Sequence, residues 1–189
     1  MKRALGWSQG VLFACAFLVL GYCGFAVADS WSFQKEESRV LEQLPIPEAA
    51  KIAKIPMASA DGLIGRIEIE RLGVSVIVME GTNSRTLRRA VGHIAGTALP
   101  GHTGNVGIAA HRDTFFRPLR DIRNSDIVML HTPAGEYRYR VVSTRIVKPD
   151  NVGVLEPGDG ETLTLVTCYP FYFVGSAPDR FIVRAERVI

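Results

Sequence analysis

Cysteine, histidine and arginine are the side chains that a covalent acyl-transfer site needs, and this chain places one of each beside a predicted strand. Cys168 follows the β-branched and aliphatic run Thr162–Thr167, and Pro170 ends that run because proline cannot donate to a strand ladder. The thiolate form of such a cysteine attacks a carbonyl carbon. A sulfur at the end of a strand, at the mouth of a rigid sheet, is therefore a candidate nucleophile.

The position of Cys168 in the sequence distinguishes it from the other two cysteines of the chain. Cys15 and Cys23 fall inside an apolar N-terminal segment, so Cys168 is the sole thiol predicted outside a membrane. An exported domain that keeps one unpaired thiol, in a compartment where disulfides form, exposes it to oxidation, which favours a reactive role. The alternative is a buried core cysteine, because free cysteine is among the most buried residue types.

His111 and Arg180 can supply the proton transfer and the positive charge that a thiolate attack requires. His111 follows the predicted buried strand Asn105–Ala110, and Arg180 begins the last predicted strand. Taken singly, the first is more simply a hydrogen-bonded loop histidine and the second a surface cation. Their combination with an isolated thiol favours catalysis, in which arginine stabilises the developing oxyanion. His93 and His102, also placed in loops, are rival bases.

The elements that must position these groups begin with an apolar N-terminal segment. No charged residue lies between Arg3 and Asp29, and this uncharged stretch is long enough to cross a bilayer as a helix. Lys2 and Arg3 precede it, so the positive-inside rule keeps the N-terminus in the cytoplasm and exports the rest. Ala26-Val27-Ala28 also fits a signal-peptide cleavage site, so a cleaved signal peptide is the alternative to an uncleaved anchor.

Composition divides the chain into three parts. We expect an N-terminal tip and transmembrane anchor at 1–29, an extracytoplasmic stalk or linker at 30–61 and a β domain at 62–189. Prolines interrupt the stalk, in which Glu48–Lys54 is predicted as one short helix. The β domain alternates short strands with turns rich in Gly, Asn and Pro, a pattern typical of a closed barrel or a sandwich.

Three motifs, in this order along the chain, resemble the sortases, a family of membrane-anchored cysteine transpeptidases, and most of all its class D members. The resemblance covers about Gly62–Ile189. Gly104–Phe116 is similar to the family's histidine segment, Thr164–Phe171 to its TLxTCxP box, and Ala177–Val183 to its arginine strand. Ala110 departs from the pattern, since a glycine usually precedes the histidine.

The resemblance implies an all-β fold with a closed eight-stranded barrel and short helices, and it implies the chemistry. Cys168 would attack the Thr–Gly bond of an LPxTG-type sorting signal and form a thioester. His111, favoured over the other two loop histidines, would protonate the leaving amine and then act as base. Arg180 would stabilise the oxyanion or hold the peptide, with Thr167 as a further substrate contact. No metal and no cofactor is required.

The resemblance also implies the partners and the location. The substrates are exported proteins with an LPxTG-type C-terminal signal, and the acceptor is an amine of the cell envelope or of a pilin. The protein would be a single-pass protein of the bacterial cell membrane with its catalytic domain outside the cytoplasm. The net charge of the chain is +3, and without Lys2 and Arg3 the exported part carries +1, which argues against a nucleic-acid partner.

Two other classes of function stay open at this point. A cysteine peptidase that only hydrolyses uses the same residue types, although in papain-like enzymes the cysteine precedes the histidine, and here His111 comes first. A membrane-tethered, non-enzymatic β domain that binds envelope polymer or protein would bury Cys168 in its core. A thiol reagent separates the last class from the enzymes, because a buried structural cysteine is inert.

Overall fold

Eight strands and several short helices follow a long N-terminal helix in the computed structural model, which describes residues 2–43, 62–158, 160–173 and 175–188. The helices are α1 (Lys2–Gln43) and α2 (Ser84–Arg89), with short 3₁₀ helices at Glu70–Leu72, Arg117–Asp121 and Val152–Leu155. The strands are β1 (Leu63–Ile69), β2 (Val74–Glu80), β3 (Val91–His93), β4 (Gly104–Ala109), β5 (Ile127–Thr132), β6 (Gly135–Val147), β7 (Glu161–Tyr169) and β8 (Asp179–Arg187).

The strands close into a barrel in the order β1-β2-β3-β4-β7-β8-β6-β5. β3 runs parallel to β2 and β7 runs parallel to β4, and the other neighbouring pairs are antiparallel. Because a barrel has no free edge, every strand finds two partners. The predicted all-β fold with a closed eight-stranded barrel is confirmed.

The two-residue period of the strands decides which side chains fill the barrel and which face outward. On β7, Leu163 and Leu165 are fully buried in the core, so Cys168 belongs to the outer face. On β8, Val183 and Ala185 are buried in the same core, so Arg180 is also on the outer face. The aliphatic alternation of the sequence thus directs both groups away from the barrel interior.

The apolar part of α1 is exposed at every position from Gln9 to Ala28. By length and composition, its Gln9–Gln43 portion could cross a membrane, with a mean hydropathy of 2.4 in its most apolar window and none of that window buried. Exposed Leu, Val and Phe side chains in such a run are typical of a helix in contact with lipid rather than with water. The apolar segment expected from the sequence therefore forms a single continuous helix.

The structure differs from the predicted stalk in its first part. Residues 30–43 are helical and continue α1, whereas the predicted short helix at Glu48–Lys54 lies outside the described residues. No Pro or Gly occurs in 30–43, so nothing stops the helix before Pro45. Phe33 and Leu41 pack against a small apolar cluster on the barrel. The first part of the predicted stalk thus rests on the barrel wall.

Candidate active site

The three candidate residues lie at the ends of three neighbouring strands of the barrel. Cys168 on β7 is directly opposite Arg180 on β8. β4 runs parallel to β7 with Ala109 beside Val166, and His111 follows two residues after this last pair, as Cys168 follows Val166. We call this group of three, His111, Cys168 and Arg180, the Cys168 row. The ends of three neighbouring strands that are far apart in sequence therefore bring these residues to the same part of the sheet.

Hydrogen bonds extend the β4–β7 register beyond the last paired residue. The amide of Ala110 donates to the carbonyl of Val166 at 3.2 Å. The Thr167 hydroxyl donates to the carbonyl of Ala110 at 2.8 Å, and Thr167 is only 2% exposed. The side chain of Thr167 therefore ties the histidine segment to the cysteine strand. A contact between Thr167 and substrate, which the sequence predicts, stays a prediction.

Cys168 is half-buried and lies outside the cluster of buried residues that fills the barrel. Reactive cysteines are usually partly exposed and near positive charge, whereas structural cysteines are enclosed among apolar side chains. His111 is exposed, and its ring makes no hydrogen bond with any residue in the described ranges. Both groups can therefore meet a substrate that lies on the outer face of the sheet.

The guanidinium of Arg180 is held from one side by backbone oxygens. Its Nη1 donates to the carbonyls of Ala177 at 3.3 Å and Asp179 at 3.0 Å. Arg180 makes no ion pair with a carboxylate of the described residues, and the Asp179 carboxylate accepts from Lys148 Nζ at 2.7 Å instead. The guanidinium keeps N–H donors for an oxyanion or a peptide carbonyl.

Arg112, which the sequence interpretation did not select, connects the two halves of the site. Its Nη1 donates to the carbonyl of Pro170 at 3.0 Å, and its Nη2 donates to the carbonyls of Phe173 at 2.7 Å and Gly175 at 2.9 Å. The three acceptors belong to the loop between β7 and β8. Because Arg112 directly follows His111, this side chain fixes the histidine segment to the loop that separates Cys168 from Arg180.

Three aromatic rings support the base of the same loop. Tyr169, Phe171 and Phe181 contact one another with ring centroids 5.3 to 6.3 Å apart. Phe171 and Phe181 also pack against the core of the barrel. Such ring contacts are favourable beyond the area they bury, so the loop begins and ends on a rigid support.

A second loop, between β6 and β7, crosses the outer face next to β4. The Asn105 amide donates to the carbonyls of Val154 at 3.1 Å and Glu156 at 3.4 Å, and its oxygen accepts from the Thr164 hydroxyl at 2.8 Å. Gly107 allows this close approach, because a Cβ there would stand 3.2 Å from a methyl group of Leu155. The loop therefore forms a wall over the outer face that carries the Cys168 row.

The rival base His93 is occupied elsewhere in the fold. It lies at the end of β3 rather than in a loop, is 3% exposed, and places Nδ1 2.8 Å from a carboxylate oxygen of Glu80. Its Nε2 is 3.0 Å from the carbonyl of Ala98. Both ring nitrogens thus face acceptors. His93 is a structural histidine, in contrast to the exposed ring of His111.

The described residues include no group of three or more His, Cys, Asp or Glu side chains that could hold a metal ion. The arrangement instead supplies a thiol, an imidazole and two guanidinium groups, one of them structural.

Comparison with known proteins identifies the family of the chain. The family model described as a sortase domain matches residues 67–188. The chain belongs to the sortase family. It is 35% identical over 125 residues to Sortase D of Bacillus subtilis (strain 168), covering 66% of this chain and 63% of the relative. It is 34% identical over 123 residues to Sortase SrtE1 of Streptomyces coelicolor, covering 55% of this chain and 35% of the relative.

Solved structures of sortases share the fold. A Clostridium perfringens sortase D5 transpeptidase aligns with a TM-score of 0.62 at 28% identity, covering 82% of this chain and 88% of that one. Sortase C1 of Streptococcus agalactiae aligns with a TM-score of 0.64 at 28% identity, covering 69% and 70%. The matched stretch spans less than two thirds of either curated relative. The resemblance to sortases, including class D, is confirmed.

Proposed function

We propose that this sortase is a cysteine transpeptidase that cleaves an LPxTG-type sorting signal between Thr and Gly and transfers the acyl group to an amine of the cell envelope or of a pilin. One observation carries the proposal: Cys168 lies directly opposite Arg180, and the register brings His111 to its other side. Membership of the sortase family supports the same chemistry.

In the first step the Cys168 thiolate attacks the Thr carbonyl carbon and forms a C–S bond. The carbonyl oxygen becomes an oxyanion, which accepts hydrogen bonds from the Arg180 N–H groups that the Ala177 and Asp179 carbonyls leave available. The C–N bond then breaks, and His111 gives its proton to the departing glycine amine. A thioester with the threonine acyl group remains on Cys168.

In the second step an acceptor amine enters from the side that the glycine has left. His111, now neutral, removes a proton from the amine as its nitrogen attacks the thioester carbonyl. The C–S bond breaks, the new amide is released, and the sulfur of Cys168 is restored as a thiolate beside a protonated histidine. The exposed position of His111 suits both transfers, because the glycine amine departs to solvent and the acceptor amine arrives from it.

The N-terminal helix supplies the location within this proposal. α1 anchors the chain once in the bacterial cell membrane, and Lys2 and Arg3 hold its first turn in the cytoplasm. The barrel then lies outside, where exported proteins carry their sorting signals. The length and apolar composition of α1 support the anchor, and fractionation followed by N-terminal sequencing tests it. A mature chain that starts at Asp29 would instead show a cleaved signal peptide.

The experiment that tests the activity presents the protein with fluorogenic LPxTG-type peptides, with and without amine acceptors, and identifies products by mass spectrometry. We expect a covalent acyl adduct on Cys168 and an amide product that increases with acceptor concentration. A matched peptide with threonine and glycine exchanged should stay intact. Release of the free acid alone, at every acceptor concentration, would show a hydrolase. Binding without cleavage would show a non-enzymatic β domain.

A further inference from the structure

The sequence of α1 indicates where the helix would emerge from the bilayer. Residues 4–28 carry no charge, and at 1.5 Å per residue they span about 38 Å, somewhat more than the roughly 30 Å of a bilayer's hydrocarbon core. Asp29 is the first charged residue beyond this stretch. Trp31, which is 67% exposed, follows at the depth where tryptophan is enriched in membrane proteins. Asp29 and Trp31 thus mark the level of the lipid headgroups.

α2 is attached to α1 at this same level. Arg89, its last residue, donates from Nε and Nη2 to the two carboxylate oxygens of Asp29, at 2.7 and 2.8 Å. Gln34, just over one helical turn further along α1, donates to the Arg89 carbonyl and accepts from the amide of Ile77 at 2.9 Å. The Phe33 ring lies 5.7 Å from the Arg89 guanidinium. These contacts hold α2 beside the exit point of α1.

Two further arginines of α2 make no polar side-chain contact with the residues that the structure describes. Arg85 and Arg88 are exposed, and neither makes an ion pair or a side-chain hydrogen bond with a residue that the structure describes. They are three residues apart, so both project from one side of a helix only six residues long. Their charges therefore remain available to a partner outside the protein.

The neighbouring acidic side chains stand further from the membrane. Glu36 and Glu37 follow Asp29 by seven and eight residues, which is roughly 10–12 Å along the helix. Glu36 lies 3.7 Å from Arg39 in an ion pair of its own. Arg89 offsets the charge of Asp29, and Glu37 lines the same cleft as Arg85, so Arg85 and Arg88 together leave this part of the surface with a net positive charge.

We propose that Arg85 and Arg88 bind the phosphate groups of anionic phospholipids, so that α2 rests on the surface of the membrane that α1 crosses. The inference depends on the membrane anchor proposed above. It adds a second point of attachment, which would stop the barrel from rotating about the axis of α1. β8 lies across the barrel from β2, the strand nearest α1, so the Cys168 row would then face away from the anchor.

The test uses the full chain in lipid nanodiscs of phosphatidylcholine, either alone or mixed with phosphatidylglycerol. A photo-crosslinking amino acid placed at Ser84, one turn before Arg88, reports lipid contact through the yield of lipid adduct measured by mass spectrometry. We expect a higher yield with phosphatidylglycerol and a loss of that gain at high salt, because salt screens exposed charges. Arg85→Gln combined with Arg88→Gln should lower the yield about 5- to 25-fold, since each basic residue near an anionic surface contributes about fivefold.

Arg145→Gln combined with Arg184→Gln is the matched control, since it removes the same charge from β6 and β8 on the other side of the barrel. The control should keep the lipid adduct. An equal yield in both lipids, or an equal loss in the control, would overturn the proposal while the anchor stands. A carbonate wash separates the two ideas: a chain that washes off the membrane lacks the anchor, and the lipid-contact proposal fails with it. Melting temperatures confirm that each variant is folded.

Discussion

Cys168 and Arg180 form a directly opposed pair across the antiparallel ladder of β7 and β8. The Cβ atoms of such a pair are about 4.5–5.5 Å apart, so backbone register alone brings the sulfur within reach of the guanidinium. A slip of one residue would turn Cys168 toward the barrel interior, because the side-chain period of a strand is two. The same register that closes the barrel therefore also assembles the chemistry.

Replacement of the nucleophile gives the first prediction. Cys168→Ala should abolish both peptide cleavage and amide formation, because the other two cysteines lie in the apolar part of α1. The melting temperature should change little, since the substitution removes one half-buried sulfur. Cys15→Ala combined with Cys23→Ala is the control and should keep full activity. Residual transpeptidation by Cys168→Ala would contradict the proposed mechanism.

Replacement of His111 by alanine should affect turnover, whereas replacement of His93 by alanine should affect stability. His111→Ala should slow turnover by roughly 10²–10⁴ at an unchanged melting temperature, because a proton-transfer group is lost from an exposed position. His93→Ala should instead lower the free energy of unfolding by about 1–3 kcal/mol, since the Glu80 carboxylate and the Ala98 carbonyl lose their partner.

The two histidine effects are separated by measuring kcat and the unfolding free energy on the same preparations. If His93→Ala is stable but inactive, or His102→Ala is the most damaging change, the base has been assigned to the wrong histidine. A chemical rescue of His111→Ala by added imidazole would support proton transfer, because imidazole can replace the missing ring without restoring any packing.

Arg112 should act on catalysis through the loop that it binds. Arg180 donates to Ala177 in the same loop, so loosening the loop should displace the guanidinium that faces Cys168. Arg112→Ala should lower kcat/KM about tenfold or more, given about 1.5–3 kcal/mol for hydrogen bonds to a charged group. Arg112→Lys should rescue little, because one ammonium cannot reach three carbonyls spread along a loop.

Hydrogen exchange of residues 170–178 distinguishes this positioning role from a loss of overall stability. Exchange should become faster in the loop of Arg112→Ala and stay unchanged in the barrel strands. Arg117→Ala, an exposed arginine of the next turn, is the matched control and should alter neither exchange nor rate. Wild-type kinetics for Arg112→Ala would show that the loop holds its position without this side chain.

Some features of the fold and of the candidate site could be predicted from the sequence, and others could not. The placement of Cys168, His111 and Arg180 at strand ends could be predicted because each position is marked locally by a strand pattern, a strand end and a family motif, whereas their catalytic roles stay predictions. The alternation of short strands and turns predicted a closed barrel or a sandwich, and the resemblance to the sortases selected the eight-stranded barrel. Arg112 could not be predicted, since its partners are backbone carbonyls, and every residue has one. The contact between Phe33 and the barrel was missed because helix docking depends on tertiary packing rather than on local pattern.

The environment of Asp126 should make the free energy of unfolding sensitive to acid. Its carboxylate accepts from Arg71 Nε at 2.6 Å and from the amide of Arg123 at 2.8 Å. The hydrogen bond with Arg71 holds the pKa of Asp126 below its ordinary value of 3.8, and the bond with the Arg123 amide acts in the same direction. The unfolded chain then binds the proton more tightly than the folded one. This contribution is complete above about pH 4 and is lost as the pH falls through the lower, folded pKa.

Asp126→Asn should therefore be less stable than the wild type at neutral pH, and the difference should shrink in acid. Urea unfolding at a series of pH values measures the change in the free energy of unfolding. Asp150→Asn, at an exposed loop position, is the control and should leave the pH dependence as it is. A constant difference between Asp126→Asn and the wild type at every pH would show that the ion pair with Arg71 does not cause the acid sensitivity.

Arg180 should depend on the shape of its side chain as well as on its charge. Arg180 faces Cys168, whereas Arg184 on the same face of β8 is opposite Thr164, about 13 Å further along the strand. A planar guanidinium can keep its bonds to the Ala177 and Asp179 carbonyls while its other N–H groups bind an oxyanion. A compact ammonium cannot do both. Arg180→Lys should thus be nearly as harmful as Arg180→Ala, and Arg184→Lys nearly silent.

The loss should appear in kcat/KM rather than in folding stability. Removing one oxyanion donor costs about 3–4 kcal/mol of transition-state stabilisation, or roughly 10²–10³ in rate. Steady-state kinetics with one sorting peptide, on Arg180→Lys, Arg180→Ala and Arg184→Lys at equal melting temperatures, provide the measurement. If Arg180→Lys keeps most of the wild-type rate, the arginine acts only as a point charge. If Arg184→Lys is the inactive variant, the register has placed the wrong arginine beside the thiol.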